Sequence, residues 1–374
     1  MNWNRLLMKF VIYLSIYLGS TLLRIDFERR QLIPANLFLK FYVVVGNLSF
    51  GTWMPYTVFY TSQQSQLFVK NPVARYANFL NLVMRLVIIF VHTLERIQRD
   101  KKLSRWLEAI MDIQCSYFDR LRDLPKNTGH RKWLYLSGAV AFVHIGSVAV
   151  DIYKLAFINQ FLKAIELYPL LGMIAFQHLF MLQHAILLCY LRECLSQINY
   201  QLLANYQDPK MSLIYSQLRS KLLQLNEIYG PTVLCILLCL IISNSIVGFV
   251  VLMRILLSGP KLHNYDYLFG DSFYLCILVH MYFYFMICEW VMATMKESQA
   301  ILYKYNTTQL RKEEEQELEK LTLSCCLTGR DINILGMVPI NLATLFSIIA
   351  QTVLYAIILI QAEYGSFKIK ANLN

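Results

Sequence analysis

Apolar residues in this 374-residue chain gather into seven long runs separated by polar stretches. They are Phe41 to Tyr60, Tyr76 to Leu94, Trp133 to Val150, Leu167 to Leu191, Tyr229 to Met253, Ser272 to about Met295, and Ile332 to Gln361. Each approaches or exceeds the roughly 20 residues that a helix needs to cross about 30 Å of hydrocarbon. The pattern predicts an all-α polytopic membrane protein with seven transmembrane helices. An eighth run, "FVIYLSIYLGSTLL", has 14 residues between Lys9 and Arg24, a length suited to a helix lying on the inner membrane surface. No small-residue cleavage site precedes "RIDFERR", which argues against a signal peptide.

Several connections keep a helical period. "LRECLSQINYQLLANY" carries Leu191, Cys194, Leu195, Ile198 and Leu202 at three-to-four spacing beyond the fourth run. "MSLIYSQLRSKLLQLNEIYG" leads into the fifth run with Leu213, Leu218, Leu222 and Leu225 on one stripe. Long helical extensions packed together outside the bilayer follow. "QLRKEEEQELEKLTL", before the last run, reads as a solvated charged face. No internal repeat of the transporter kind is visible.

Charge orients the bundle. Residues 95–132 hold ten Lys or Arg, whereas connections 61–75, 151–166 and 254–271 hold two each. By the positive-inside rule the N-terminus is cytosolic, and seven crossings leave the C-terminus outside. That is the reverse of a G-protein-coupled receptor, which disfavours a metabotropic seven-helix receptor. A formal net charge of +11 would suggest nucleic acid in a soluble protein, but with 57% hydrophobic and 16% charged residues the partner is the lipid bilayer and no nucleic acid is expected. All nine cysteines fall in spans or cytosolic parts, so disulfides are not expected, and adjacent Cys325 and Cys326 lack companions for a metal site. The sequons at Asn47 and Asn306 fall in a span and a cytosolic loop. No cofactor is implied, and no phosphate-cradling glycines, paired histidine ligands or nucleophile elbow suggest an enzyme.

The last run has 30 uncharged residues, about 45 Å as one helix and longer than the bilayer core. Gly336 and Pro339 in "GMVPINLATL" should break it, leaving an inner half that packs with the cytosolic helices and a crossing half from about Ala343 to Gln361. The domain reading is 1–40 as a cytosolic N-terminus with the short interfacial helix and 41–295 as a six-helix ligand-binding bundle. Residues 296–342 form a linker and anchor, 343–361 the last crossing helix, and 362–374 an extracellular tail.

This last run resembles the insect gustatory receptor family, which ends its final span in Thr-Tyr, five hydrophobic residues, Gln-Phe. Here Tyr355, "AIILI" and Gln361 stand at that spacing, with Leu354 in place of the Thr and Ala362 in place of the Phe. "GMVPINLATLFSIIA" and "CLSQINYQLL" are also similar to family patterns. The resemblance implies a ligand-gated nonselective cation channel that passes permeant cations. It implies a homotetramer, or a heterotetramer with related receptors, in the plasma membrane of gustatory neuron dendrites. Its ligand would be a small-molecule tastant. Family sugar receptors tend to carry Glu directly after the motif Tyr, and Ala356 there points to a bitter or other non-sugar compound. An odorant-receptor-type channel subunit is the alternative.

On that reading the last helix lines a central pore. Gln361 rings its outer end, Leu354, Ile357 and Ile358 form an apolar sleeve below, and Ala362 and Glu363 follow at the mouth. Tyr355 points off that stripe and is expected to brace the helix against a neighbouring span. Polar residues inside spans are candidate ligand contacts, foremost Arg85, Gln177, His178 and His280, with Asp151 at the end of the third run and Asn244 and Arg254 along the fifth as further members. Trp53, Tyr56, Tyr274 and Tyr282 are expected to supply aromatic walls for an apolar or alkaloid-like ligand.

Overall fold

The computed structural model describes residues 3–17, 19, 21–26, 31–34, 36–64, 72–118, 129–157, 161–204, 210–258, 265–303, 312, 316, 319, 333–334 and 338–371. Eight long helices and two small hairpins make up these residues. They run α1 (Trp3–Tyr17), β1 (Leu23–Asp26), β2 (Gln31–Pro34), α2 (Leu37–Gln64), α3 (Pro72–Ser116), α4 (Gly129–Phe157) and α5 (Phe161–Ala204). Then follow α6 (Lys210–Ser258), α7 (Tyr265–Tyr303), β3 (Asn333–Ile334), β4 (Val338–Pro339) and α8 (Leu342–Ala371). Each of the first six apolar runs lies inside one of α2 to α7, and the crossing half of the seventh lies inside α8. The chain is an all-α polytopic membrane protein.

Helix starts follow local chemistry. Asn36 caps α2 by accepting from Leu39 N at 3.0 Å. Pro72 opens α3, where its missing N–H costs nothing. Helices α3, α5, α6 and α7 have 45, 44, 49 and 39 residues, so they overrun a bilayer core by several turns. The overhangs pack as the sequence stripes require. Leu191, Cys194, Leu195, Ile198 and Leu202 are buried on α5, as are Leu218, Leu222 and Leu225 on α6, while Leu213 stays half exposed. Polar ties hold the same region: Trp106 Nε1 donates to Lys221 O at 2.7 Å, and Tyr117 OH to Gln201 Oε1 at 2.8 Å.

Helix α5 is the axis of the bundle. From Met173 to Leu191 every residue but Ala175 is buried, whereas in Leu342–Ala362 of α8 only Leu345, Ile348 and Ala356 are. Helices α1, α2, α4, α6 and α7 all pack on α5, and α8 lies mainly on α6. The described cysteines are free thiols, Cys325 and Cys326 lie outside the described residues, and so does Asn306.

Two expectations change in detail. The short N-terminal run is not one helix over its length: α1 ends at Tyr17, Gly19 turns the chain with φ 68°, and Leu23 enters a strand. Its Val11, Ile12 and Ile16 are buried in the core and Gln183 of α5 donates to Ser15 Oγ, so the bundle holds one face while Leu6, Phe10 and Tyr13 face outward. The break before α8 is a hairpin. Pro339 lacks an N–H and biases Val338 toward extended backbone, so β4 pairs with β3 in the register Asn333↔Pro339. Ile334 is buried on α6, and Asn226 of α6 donates to Asn333 O. Gly336 lies outside the described residues.

Helix α8 is held at two points. At its start, Asn341 Oδ1 accepts from Thr344 N at 2.9 Å as the N-cap, and Glu289 Oε2 of α7 accepts from Leu342 N at 2.9 Å. A carboxylate there also meets the positive end of the helix dipole. Further along, a Cβ added at Gly248 of α6 would lie 3.1 Å from the Ala356 Cβ, a contact tighter than side chains ordinarily make. Gly248→Leu should therefore push α8 outward and lower unfolding stability by about 1–3 kcal/mol. Thermal melts of the purified protein should show that loss, and Ala356→Gly in the same chain should recover part of it; equal melts for all three proteins would refute the crossing.

Candidate functional site

Polar side chains converge midway along the bundle from five helices. On one side, Arg85 of α3 donates through Nη1 to Gln177 Oε1 of α5 at 3.3 Å and through Nη2 to Ser243 Oγ of α6 at 3.0 Å. Ser243 donates to Asn81 Oδ1 of α3 at 2.5 Å. Gln177 Nε2 donates to Cys239 Sγ at 3.6 Å, and Cys239 to Asn81 Oδ1 at 3.5 Å. Five side chains from three helices thus close a ring, all buried. In an apolar layer an unsatisfied polar group is costly, so such a ring keeps three helices in one register.

Three histidines form the other half. His144 Nδ1 of α4 lies 2.6 Å from His178 Nε2 of α5, and His178 Nδ1 lies 2.8 Å from His280 Nδ1 of α7. Neutral imidazoles bring one N–H each. Two protons fill the two links, and the third must sit on Nε2 at one end of the chain. Two tautomeric settings follow: going from one to the other takes the proton of each link across that link and moves the end proton from the Nε2 of one terminal histidine to the Nε2 of the other. The ring and the chain meet at Gln177 and His178, neighbours on α5. One turn and a half farther along α5, His184 Nδ1 lies 2.8 Å from Tyr284 OH and stacks on Tyr229 at 4.6 Å.

Arg85, Gln177, His178 and His280 are therefore brought together. Missing from the sequence reading were His144, Asn81, Ser243 and Cys239. A histidine in mid-span was the available signal for His144, the same that drew notice to His178 and His280. Asn244 is buried, and neither of its amide atoms has a hydrogen-bond partner among the described residues. Of the four expected aromatic walls, the two whose side chains are described make no hydrogen bond to the cluster. Trp53 is 41% exposed on α2, and Tyr282, 38% exposed, sits two residues past His280 on another face of α7. The side chains of Tyr56, Tyr274, Asp151, Arg254 and Glu363 lie outside the described residues.

Helix α8 presents a second feature. Leu345, Ile348 and Ala356 are buried, whereas Leu354, Tyr355, Ile357, Ile358, Gln361 and Ala362 are exposed. The brace expected of Tyr355 is made by Ala356, since Tyr355 is 47% exposed and Ala356 1%. At about 100° per residue, the stripe opposite Ala356 runs through Ser347, Gln351, Leu354, Ile358 and Gln361, with Ile357 to its side. Ser347 and Gln351 are exposed on it and were not singled out from the sequence.

A family model described as 7tm Chemosensory receptor matches residues 8–365. The chain is 24% identical over 397 residues to a putative gustatory receptor 22a of Drosophila melanogaster, covering 98% of this chain and 96% of that one. Its fold is similar to that of the insect olfactory receptor OR5 from Machilis hrabei, solved in complex with eugenol. The TM-score is 0.70 at 9% identity, covering 96% of this chain and all of that one.

His178 touches both other histidines, so its loss strands two buried partners. His178→Phe should lower the unfolding midpoint more than His280→Phe, by about 1–3 kcal/mol in stability. A double-mutant cycle on thermal melts checks this, and a zero coupling energy would show that the two rings act independently.

Proposed function

Because the chain belongs to the 7tm chemosensory receptor family, we propose that it is a gustatory receptor: a channel that a small tastant opens to cations without strong selectivity. The observation that carries this reading is α8. One face packs on α6 and the other, an aliphatic and amide stripe in a helix of membrane length, has no cover among the described residues. Four copies around an axis would turn that face into a pore, with Leu354 and Ile358 as the dewetting constriction and Gln361 above them. Ala362 and Glu363 would follow at the outer mouth. The N-terminus and the basic overhangs face the cytosol, and the protein resides in the plasma membrane of sensory dendrites.

A route from the polar cluster to this helix supports gating. His280 and Glu289 ride on α7, nine residues or about 13.5 Å apart, and Glu289 holds the first N–H of α8. A ligand that shifts α7 would act on the start of the pore helix. The non-sugar preference gains a physical support as well. The position at which family sugar receptors tend to carry Glu is Ala356, which is buried and faces Gly248, so a carboxylate there would have to be buried at the crossing of α8 and α6.

Whole-cell recording of the chain expressed alone, against a panel of bitter compounds, sugars and volatile phenols, tests the channel reading. Ligand-evoked, poorly selective cation current is expected. Ile358→Ser should wet the constriction and raise ligand-free current more than Ile357→Ser does. An unchanged leak in both variants would place this face against lipid. An epitope after Asn374 should stain intact cells, and one at the N-terminus only permeabilised cells; the reverse order would overturn the orientation.

A further inference from the structure

Arg85 is a cation with neutral partners. It is 4% exposed and lies in the segment Arg75–Arg96 of α3, midway through the apolar layer. Its two acceptors are the Gln177 amide and the Ser243 hydroxyl, and Nε is buried with no acceptor. Among the described residues no carboxylate bonds to it. His280 Nε2 also has no hydrogen-bond partner among the described residues. Arg85 therefore has an unused donor and an unpaired positive charge, in a place where a charge is stable only when paired.

Resting on the reading of this cluster as the ligand site, we propose that the ligands of this receptor are small amphipathic carboxylates whose head group is the counter-ion of Arg85. A carboxylate approaches a guanidinium side-on, accepting from Nε–H and from one terminal N–H, and the free Nε–H of Arg85 is half of that fork. The histidine chain adds a donor when its unshared proton is set on His280 Nε2. The surrounding helix faces are aliphatic and aromatic, which suits an apolar body. A protonated amine meets the opposite situation, since it brings a second cation beside Arg85. The alkaloid-like ligand suggested by the aromatic residues of the sequence is thus the disfavoured class.

Purified full-length receptor in nanodiscs provides the test. The unfolding midpoint is followed as octanoate or hydrocinnamate is added, in parallel with their methyl esters and the amines of equal length. The carboxylates should raise the midpoint saturably, with the esters needing about tenfold higher concentration and the amines giving no specific shift. Arg85→Gln should remove the difference between acid and ester. Arg85→Lys, which keeps the charge without the fork, should retain the acid preference at weaker affinity, and carries the test if the Gln variant does not fold. Equal action of acid and ester, a preference for the amine, no response to either carboxylate, or an acid preference that survives Arg85→Gln would each overturn the proposal. Whole-cell currents with the same probes separate the two readings. Acid binding without current would refute the channel and leave the ligand class standing, whereas current evoked only by esters or amines would do the reverse.

Discussion

A guanidinium in the middle of an apolar bundle needs acceptors from its own protein, and the placement of Arg85 constrains much of the packing around it. Its partners come from α5 and α6, theirs from α3 and α6, and the resulting ring admits one register of the three helices. Apolar packing in a membrane is weakly directional, because lipid tails offer much the same contacts as a leucine face. Hydrogen bonds between buried polar groups supply the direction. The histidine chain extends the same logic to α4 and α7, so that five helices are indexed against one another at a single depth.

Helices α5 and α8 differ in how far the rest of the bundle covers them. Helix α5 is surrounded from Met173 to Leu191 and carries both halves of the polar cluster. Helix α8 is gripped by a close crossing at Gly248 and Ala356 and by Glu289 at its first turn, with most of its side chains uncovered. A small-residue crossing gives close approach with little interlocking, and the first turn of α8 is tied both by its own Asn341 and by Glu289 of α7. Position 356 joins the two themes. The same small residue that lets α8 sit closely on α6 stands directly after the motif tyrosine, Tyr355.

Much of this was legible in the chain. Runs of about 20 apolar residues place the helices, because hydrocarbon thickness and the 1.5 Å rise leave little choice. The stripe from Leu191 to Leu202 announced a helix that continues past the membrane with one buried face. Pro339 located the break before α8, and the start expected at about Ala343 lies one residue from Leu342, since a missing N–H acts locally. Mid-span Arg85, Gln177, His178 and His280 stood out because polar residues are rare in such segments.

Which of those residues touch, however, was decided by tertiary packing. His144 and His178 are 34 residues apart, and His178 and His280 are 102 apart. Nothing in local spacing links them, because their proximity depends on helix rotation and depth, both set by neighbouring helices. The same holds for Tyr355 and Ala356. The sequence reading gave the brace to Tyr355, whereas in the bundle Ala356 faces Gly248 on α6 and the tyrosine is half exposed. The sequence by itself determined the helices, their lengths and their breaks, through hydrophobic span and local capping. Their rotations, and with them the polar cluster and the uncovered face of α8, came from side chains distant in sequence that had to satisfy one another in a layer without water.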